Sequence, residues 1–436
     1  MNDKPATRNR LGPIAESYDE LQSIGALRAV IRHPSAPPPG SAWQAVRALY
    51  QSAEVVVVAL NQLAGSATTC LHAGDLVRTA RTLDWMNAFG GMLADLAWRA
   101  VDLHPGTQGE PVHRLDIRLS PNWMDLHHTE VALGDALLSV AERDVDDHLT
   151  HRVLHYVMLQ RQVLEYFAGC AADSAYAEFV QPGALRDAVL ERTLDGHTVF
   201  GQFRAAHQVP EILVDAVNDH LEVAIRESRA RRLPGVAVIL RRVDRLLDAV
   251  VRSAGLLAEN LHTQEYHEIR ENLGLTSGSH STGLHFHLMR DLYPQLRREA
   301  GQLEDGPGQV TVAGLIRTIG LHLDRWRLAH LNLPRNNLGG AGTNTRSLTG
   351  SRDAVSLVGS MRDRALHQDD PGPFRATDWQ TSALAMAPVE RRLLDRIAQR
   401  TQARFADVQD RSGYFAAKPT FQPPPERTVG TEEDSP

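Results

Sequence analysis

At 436 residues the chain is long enough for two or three domains with large buried cores, and its 42% apolar and 23% charged residues with a net charge of -7 read as a globular protein. The mild acidity and the lack of a basic stripe argue against a nucleic-acid partner, and no run of about eighteen consecutive apolar residues suggests a membrane span. Met1-Asn2-Asp3-Lys4 is followed by no apolar stretch of the signal-peptide kind, so the expected compartment is the cytoplasm.

Cys70 and Cys170, far apart, leave neither a disulfide framework nor a CxxC site. The periodicity is helical nearly throughout. Leu76 to Trp98, Val153 to Phe167 and Val236 to Leu257 each place apolar residues three and four apart. In the last of these Ile239, Leu240, Val243, Leu246, Leu247, Val250, Val251 and Ala254 alternate with Arg241, Arg242, Asp244, Arg245 and Asp248, giving one buried and one solvated face. Breaks are expected at His33 to Ser41, His104 to Pro111, Gly169 to Asp173 and Gly301 to Gly308. The Pro-rich and acidic stretch from Ala416 has too little apolar content to pack and reads as disordered. The predicted fold class is an all-α bundle, divided as an N-terminal helical half (1–168), a second half (169–415) and a tail (416–436).

The chain also repeats itself. Ser17-Tyr18-Asp19-Glu20 followed by Gly25-Ala26-Leu27-Arg28 returns 158 positions later as Ala175-Tyr176-Ala177-Glu178 followed by Gly183-Ala184-Leu185-Arg186. Tyr50-Gln51-Ser52-Ala53-Glu54 then pairs with His207-Gln208-Val209-Pro210-Glu211, and His148-Leu149 with His155 pairs with His322-Leu323 and His330. Either Ala- and Leu-rich helices match by chance, or an old duplication has left Tyr50 where the second copy has His207.

Three ordered segments of the second half carry a resemblance. Phe203-Arg204-Ala205-Ala206-His207-Gln208-Val209-Pro210-Glu211 has the form F-x-x-x-H-Q-x-x-E; Ile269-Arg270-Glu271-Asn272-Leu273-Gly274-Leu275-Thr276-Ser277-Gly278 contains R-x-x-L-G-x-x-S-G; Trp326-Arg327-Leu328-Ala329-His330 is W-R-x-x-H. Together they resemble the tryptophan 2,3-dioxygenases, over about Ala175 to Thr345. The resemblance implies a tryptophan 2,3-dioxygenase-like helical bundle, here duplicated into a pseudo-dimer, with a cofactor of heme b (iron protoporphyrin IX). It also implies a homo-oligomer, a dimer, whose substrates are dioxygen and an indole or aromatic amino acid.

By the same resemblance His330 is the axial ligand of the heme iron, with Trp326 beside the cofactor. His207 is the distal histidine that accepts the indole N-H, with Phe203 one turn earlier on the same face. Arg270 clamps the substrate carboxylate, for which a planar guanidinium offers two parallel donors. Tyr266, one turn before Arg270, and Tyr176 help to close the pocket. Ser277 and Gly278 bring backbone close to the substrate, and Thr343, in a loop that lacks the family's glycine pair, bonds the substrate ammonium. After Gly278 the chain departs from the family with Ser279-His280-Ser281 and Gly283-Leu284-His285-Phe286-His287.

The expected activity is insertion of dioxygen at the indole C2–C3 bond. Alternatives are a heme monooxygenase or hydroxylase of an aromatic precursor, a non-heme metal protein using His280, His285, His287 and His127-His128, and a helical scaffold without turnover.

Overall fold

A computed structural model of the chain describes residues 24–105, 115–141, 147–166, 175–190, 198–262, 265–266, 269, 287–302 and 307–338. All belong to one compact unit, Met1–Ala365. The expected tail at 416–436 lies outside the described residues.

The described chain is helical and contains no strand, as the periodicity predicts. The helices are α1 (Ile24–Ile31), α2 (Ala42–His72), α3 (Leu76–Asp102), α4 (Pro121–Ala141), α5 (Asp147–Tyr166), α6 (Ala175–Val180), α7 (Pro182–Leu190), α8 (Thr198–Arg229), α9 (Leu233–Asn260), α10 (Tyr293–Ala300) and α11 (Pro307–Leu338). A 3-10 turn (Ile117–Leu119) precedes α4, and a π turn (Leu288–Leu292) leads into α10. The ends of α1, α3, α5 and α10 coincide with the four breaks expected from Pro and Gly clusters.

Local chemistry sets several of these ends. Ser41 accepts the amide of Gln44 at the start of α2, and Asp75 that of Arg78 at the start of α3, which satisfies donors that a helix N-terminus leaves open. Gly40 turns the chain into α2 with φ +76, where a Cβ would meet Val223 at 2.8 Å, so both backbone and space require glycine. Pro210 lies inside α8. It supplies no amide to the carbonyl one turn back, and the helix carries that lost bond through tertiary packing.

The core forms around two antiparallel pairs, α2 with α3 and α8 with α9, joined through α2 against α8 and α3 against α9. Val55, Val56, Val57 and Val58 of α2 are all buried, because this helix has neighbours on three sides: α3, α4 and α8. At about 1.5–3 kcal/mol for each fully buried large apolar side chain, such a helix is held by packing more than by propensity. By length and composition α2 could cross a membrane, with a mean hydropathy of 1.3 over its most apolar window, although the sequence contains no unbroken apolar run. Here it is the central core helix.

The outer helices follow the same order in both halves. Helix α5 lies on α3, and α11 lies on α9. Helix α1 packs against α7 and α8, while α6 and α7 pack against α2. Arg47, at 3% exposure, donates to the carbonyls of Val30 and Ile31 at the end of α1 and of Phe179 near the end of α6. Arg204 of α8 donates to the carbonyl of Val189 at the end of α7. A buried arginine on each of α2 and α8 thus meets carbonyls that a helix C-terminus leaves open.

Candidate functional site

Helices α8 and α11 both lie on α9. The reversal at Ala230 to Arg232 makes α8 antiparallel to α9. Helix α11 runs parallel to it, since Gly308 lies against Leu233 at the start of α9 and His322 bonds Asp244 farther along. A small cavity of about 10 Å3 lies where these helices meet the π turn, walled by Val214, Leu247, Val250, Leu288, Leu323 and Trp326, with His322 as its polar member. His207 is two turns before Val214 on α8, and His330 one turn after Trp326 on α11. Both therefore fall beyond the cavity, toward the C-terminal end of α9.

The two histidines have matching surroundings. Trp326 and His330 stand ring to ring at 4.2 Å and 46°, and Phe203 and His207 at 4.2 Å and 44°. Nδ1 of His330 lies 3.2 Å from the carbonyl oxygen of Trp326, and Nδ1 of His207 lies 2.7 Å from that of Phe203. A carbonyl can only accept, so Nδ1 is the donor in both rings. Both rings are half-buried.

His322 lies on the same face of α11 as Trp326 and His330, each one turn apart. Its Nε2 is 2.9 Å from Oδ1 of Asp244, and its Nδ1 is 3.9 Å from Oδ1 of Asp248. Burial alone would raise the Asp248 carboxyl, but the Arg99 guanidinium at 2.6 Å outweighs it and holds that carboxyl below its ordinary range. Sequence reading paired His322 with the repeat but did not place it at a cavity. The four-residue spacing His322, Trp326, His330 was the available signal.

Tyr266 is buried in the first turn after α9. Arg270, Ser277, Gly278 and Thr343 lie outside the described residues, as do His280 and His285.

Tyr176 does not stand with His207. It turns into the first half, where its hydroxyl donates to Glu54 at 2.6 Å and its ring meets Tyr50 edge-on at 5.6 Å. Glu54 is fully buried and also accepts from Ser120 at 2.8 Å and Asn122 at 2.9 Å. Burial pushes its carboxyl up to about 7 against the pull of these three donors. Spacing along the chain put Tyr176 near His207; its hydroxyl is bonded on α2.

Among the described residues no group of three or more His, Cys, Asp or Glu is placed to hold a metal ion. His127 and His128 lie on α4 with ring centroids 6.4 Å apart, and His287 lies 3.0 Å from Asp291. Comparison with protein-family models, with curated proteins and with solved structures finds no match to this chain.

Proposed function

We propose that the chain is a heme-dependent oxygenase of tryptophan or a related indole or aromatic amino acid, with dioxygen inserted at the indole C2–C3 bond. The observation that carries this reading is the Trp326–His330 pair, in which a backbone carbonyl accepts from Nδ1 of a half-buried imidazole stacked on an indole. An iron site that must also bind dioxygen takes one neutral imidazole, with its other nitrogen held by an acceptor that raises its basicity. The donor set of His330 fits that requirement. The cavity holds no more than about one water molecule, so it is not itself the cofactor or substrate site.

When bound, the heme supplies dioxygen binding and the electron transfer of the oxygenation. The chain supplies the rest. His330 would be the residue that holds the iron. His207, with its proton on Nδ1, presents Nε2 as an acceptor for the indole N-H, and Phe203 packs against the same imidazole. Arg270 takes the carboxylate, Thr343 the ammonium, and Tyr266 forms part of the wall.

The same proposal takes the fold as an internally duplicated pseudo-dimer of tryptophan 2,3-dioxygenase-like halves. Three observations support it: the parallel order of packing in the two halves, the exchange of α1 and of α6–α7 between them, and the shared role of Arg47 and Arg204. In the first half Tyr50, Tyr176 and Glu54 fill the position that corresponds to the His207 site.

An absorption spectrum of protein expressed with a heme precursor tests the reading. A Soret band together with formation of N-formylkynurenine from tryptophan is expected. Bound zinc or non-heme iron without that band would favour a non-heme metal protein, and a colourless, metal-free chain would favour a scaffold.

A further inference from the structure

Helices α8 and α10 end, and α9 and α11 begin, at one end of the bundle. Arg229, the last residue of α8, holds Glu299 of α10 at 2.8 Å, and Gly308 of α11 lies against Leu233 at the start of α9. Two helix C-termini and two N-termini meet here, so their dipoles offset one another and side chains set the local charge.

Those side chains are basic. Arg226, Arg229, Arg231 and Arg232 surround the reversal between α8 and α9, Arg297 and Arg298 lie in the last turn of α10, and all of them are exposed. Two are neutralised locally: Arg229 by Glu299, and Arg232 by Glu227, which it grips through two nitrogens at 2.6 and 2.7 Å. Arg226, Arg297 and Arg298 enter no ion pair among the described residues, and Arg297 lies over the Tyr293 ring at 6.0 Å. Even with Glu304 and Asp305, which follow α10 in sequence, counted beside Glu227 and Glu299, arginine is in excess here, in a chain whose net charge is -7.

The same end exposes apolar side chains. Val310, in the first turn of α11, is 69% exposed; Pro234, in the first turn of α9, is exposed, and Val238 one turn on is 44% exposed. Val236, Ile239 and Leu240 of the same turns are buried, so Pro234 and Val238 lie off the packing face. Valine is also a poor helix former, and an outward valine does not serve the helix itself.

Basic charge with apolar tips separates the partners such a surface fits. Nucleic acid or an acidic protein segment uses the arginines and leaves the valines in water. An anionic bilayer uses both, with charge against the headgroups and apolar side chains at the acyl boundary. We propose that this end of the bundle is a docking surface for an anionic lipid bilayer, with Arg226, Arg297 and Arg298 against the headgroups and Val310 and Pro234 entering the interface. The contact is peripheral and weakened by salt. It is independent of the chemistry proposed for the interior.

Co-sedimentation of the full chain with vesicles tests it. The wild type should bind vesicles of phosphatidylcholine containing about one-third phosphatidylserine, leave them near about 0.5 M salt, and leave pure phosphatidylcholine vesicles unbound. Arg226→Gln, Arg297→Gln and Arg298→Gln together should weaken partitioning on the order of a hundredfold, at about fivefold for each charge. A bilayer reads charge rather than the planar fork, so lysine at the same three positions should bind as the wild type does. Val310→Ser should weaken binding roughly threefold with the salt dependence unchanged. Removing the same charge at exposed Arg78, Arg161 and Arg317 should leave binding within about twofold. No binding by the wild type overturns the proposal, as does equal binding to neutral vesicles or an equal loss in the Arg78, Arg161 and Arg317 variant. An unchanged Val310→Ser overturns it too, since the apolar contact is what singles out the bilayer. Retention on polyuridylate or polyglutamate that the three Gln substitutions abolish, with vesicles left unbound, would assign the surface to a nucleic acid or an acidic protein instead.

Discussion

Tyr176 donates its hydroxyl to Glu54 at 2.6 Å, joining the short helix that opens the second half to the longest core helix of the first. Ser120 and Asn122 complete the environment of the same carboxyl, and Asn122 also donates to the carbonyl of Pro182 at the start of α7. Three donors, from α6 and from the start of α4, therefore meet on one buried acid of α2. The pair bears on the repeat: α6–α7 belongs to the second half by sequence and covers the first by contact, while α1 does the reverse against α8.

Replacing His330 by Ala should abolish heme retention while leaving helix content and solubility as in the wild type. The side chain is half-buried, and α11 keeps the apolar contacts of Ile316, Ile319 and Leu323 with the core. Pyridine hemochrome content and far-UV circular dichroism measure the two parts. Full heme content in this variant moves the ligand elsewhere, with His322, two turns earlier on the same face, as the next candidate.

Arg270→Lys should weaken turnover of an amino-acid substrate by about 1.5–3 kcal/mol, or roughly tenfold to a hundredfold, since a planar two-pronged contact becomes a single one. A decarboxylated analogue such as tryptamine should be nearly indifferent. Equal losses in kcat/KM for the two compounds would make the arginine structural.

Helix positions were legible in the sequence because each long helix buries one stripe, and the period of that stripe survives in Val236 to Leu257 and Leu76 to Trp98. The ends were legible for the same local reason, through Gly and Pro. Contacts between helices were legible only where a repeat or a shared face implied them: His322, Trp326 and His330 share a face by spacing alone, whereas the ion pair of Arg81 with Glu265 depends on the crossing of α3 and α9. Tyr176 shows the limit most clearly. Its distance along the chain from His207 carries no information about the packing of α6 on α2.

Heme titration should saturate at one equivalent per chain. On the proposed duplication Tyr50 stands in the first half where His207 stands in the second; its hydroxyl donates to the carbonyl of Leu115 at 2.5 Å, and its ring meets that of Tyr176. Two equivalents would point to His155, which follows α3 as His330 follows α9, and His155→Ala would then remove one of them. Deleting the residues before Gly169 should cost solubility as well as activity, because α8 loses its contact with α2 and its buried Val209, Leu213 and Val217 lose their cover. A soluble, fully active truncation would reduce the first half to an appendage.

Glu54 should make the stability of the chain depend on pH in the neutral range. Burial raises its folded-state carboxyl to about 7 from an ordinary 4.5, overcoming the donors Tyr176, Asn122 and Ser120. As pH rises the unfolded chain releases this proton first, so the folded state binds more protons between the two values and stability falls across that interval. The contribution is fully present below about 4.5, is lost progressively up to about 7, and is gone above it, amounting to on the order of 3 kcal/mol. Glu54→Gln keeps the shape of the neutral acid: its amide oxygen can accept from Ser120 and Asn122 while its amide nitrogen donates to the Tyr176 hydroxyl. Urea unfolding of the heme-free protein between roughly pH 5 and pH 7.5 checks the sign. The wild type should lose stability relative to Glu54→Gln as pH rises, with the gap widest at the alkaline end. Parallel curves for the two proteins would mean that Glu54 keeps one protonation state through this range, with its partners compensating its charge fully within the core.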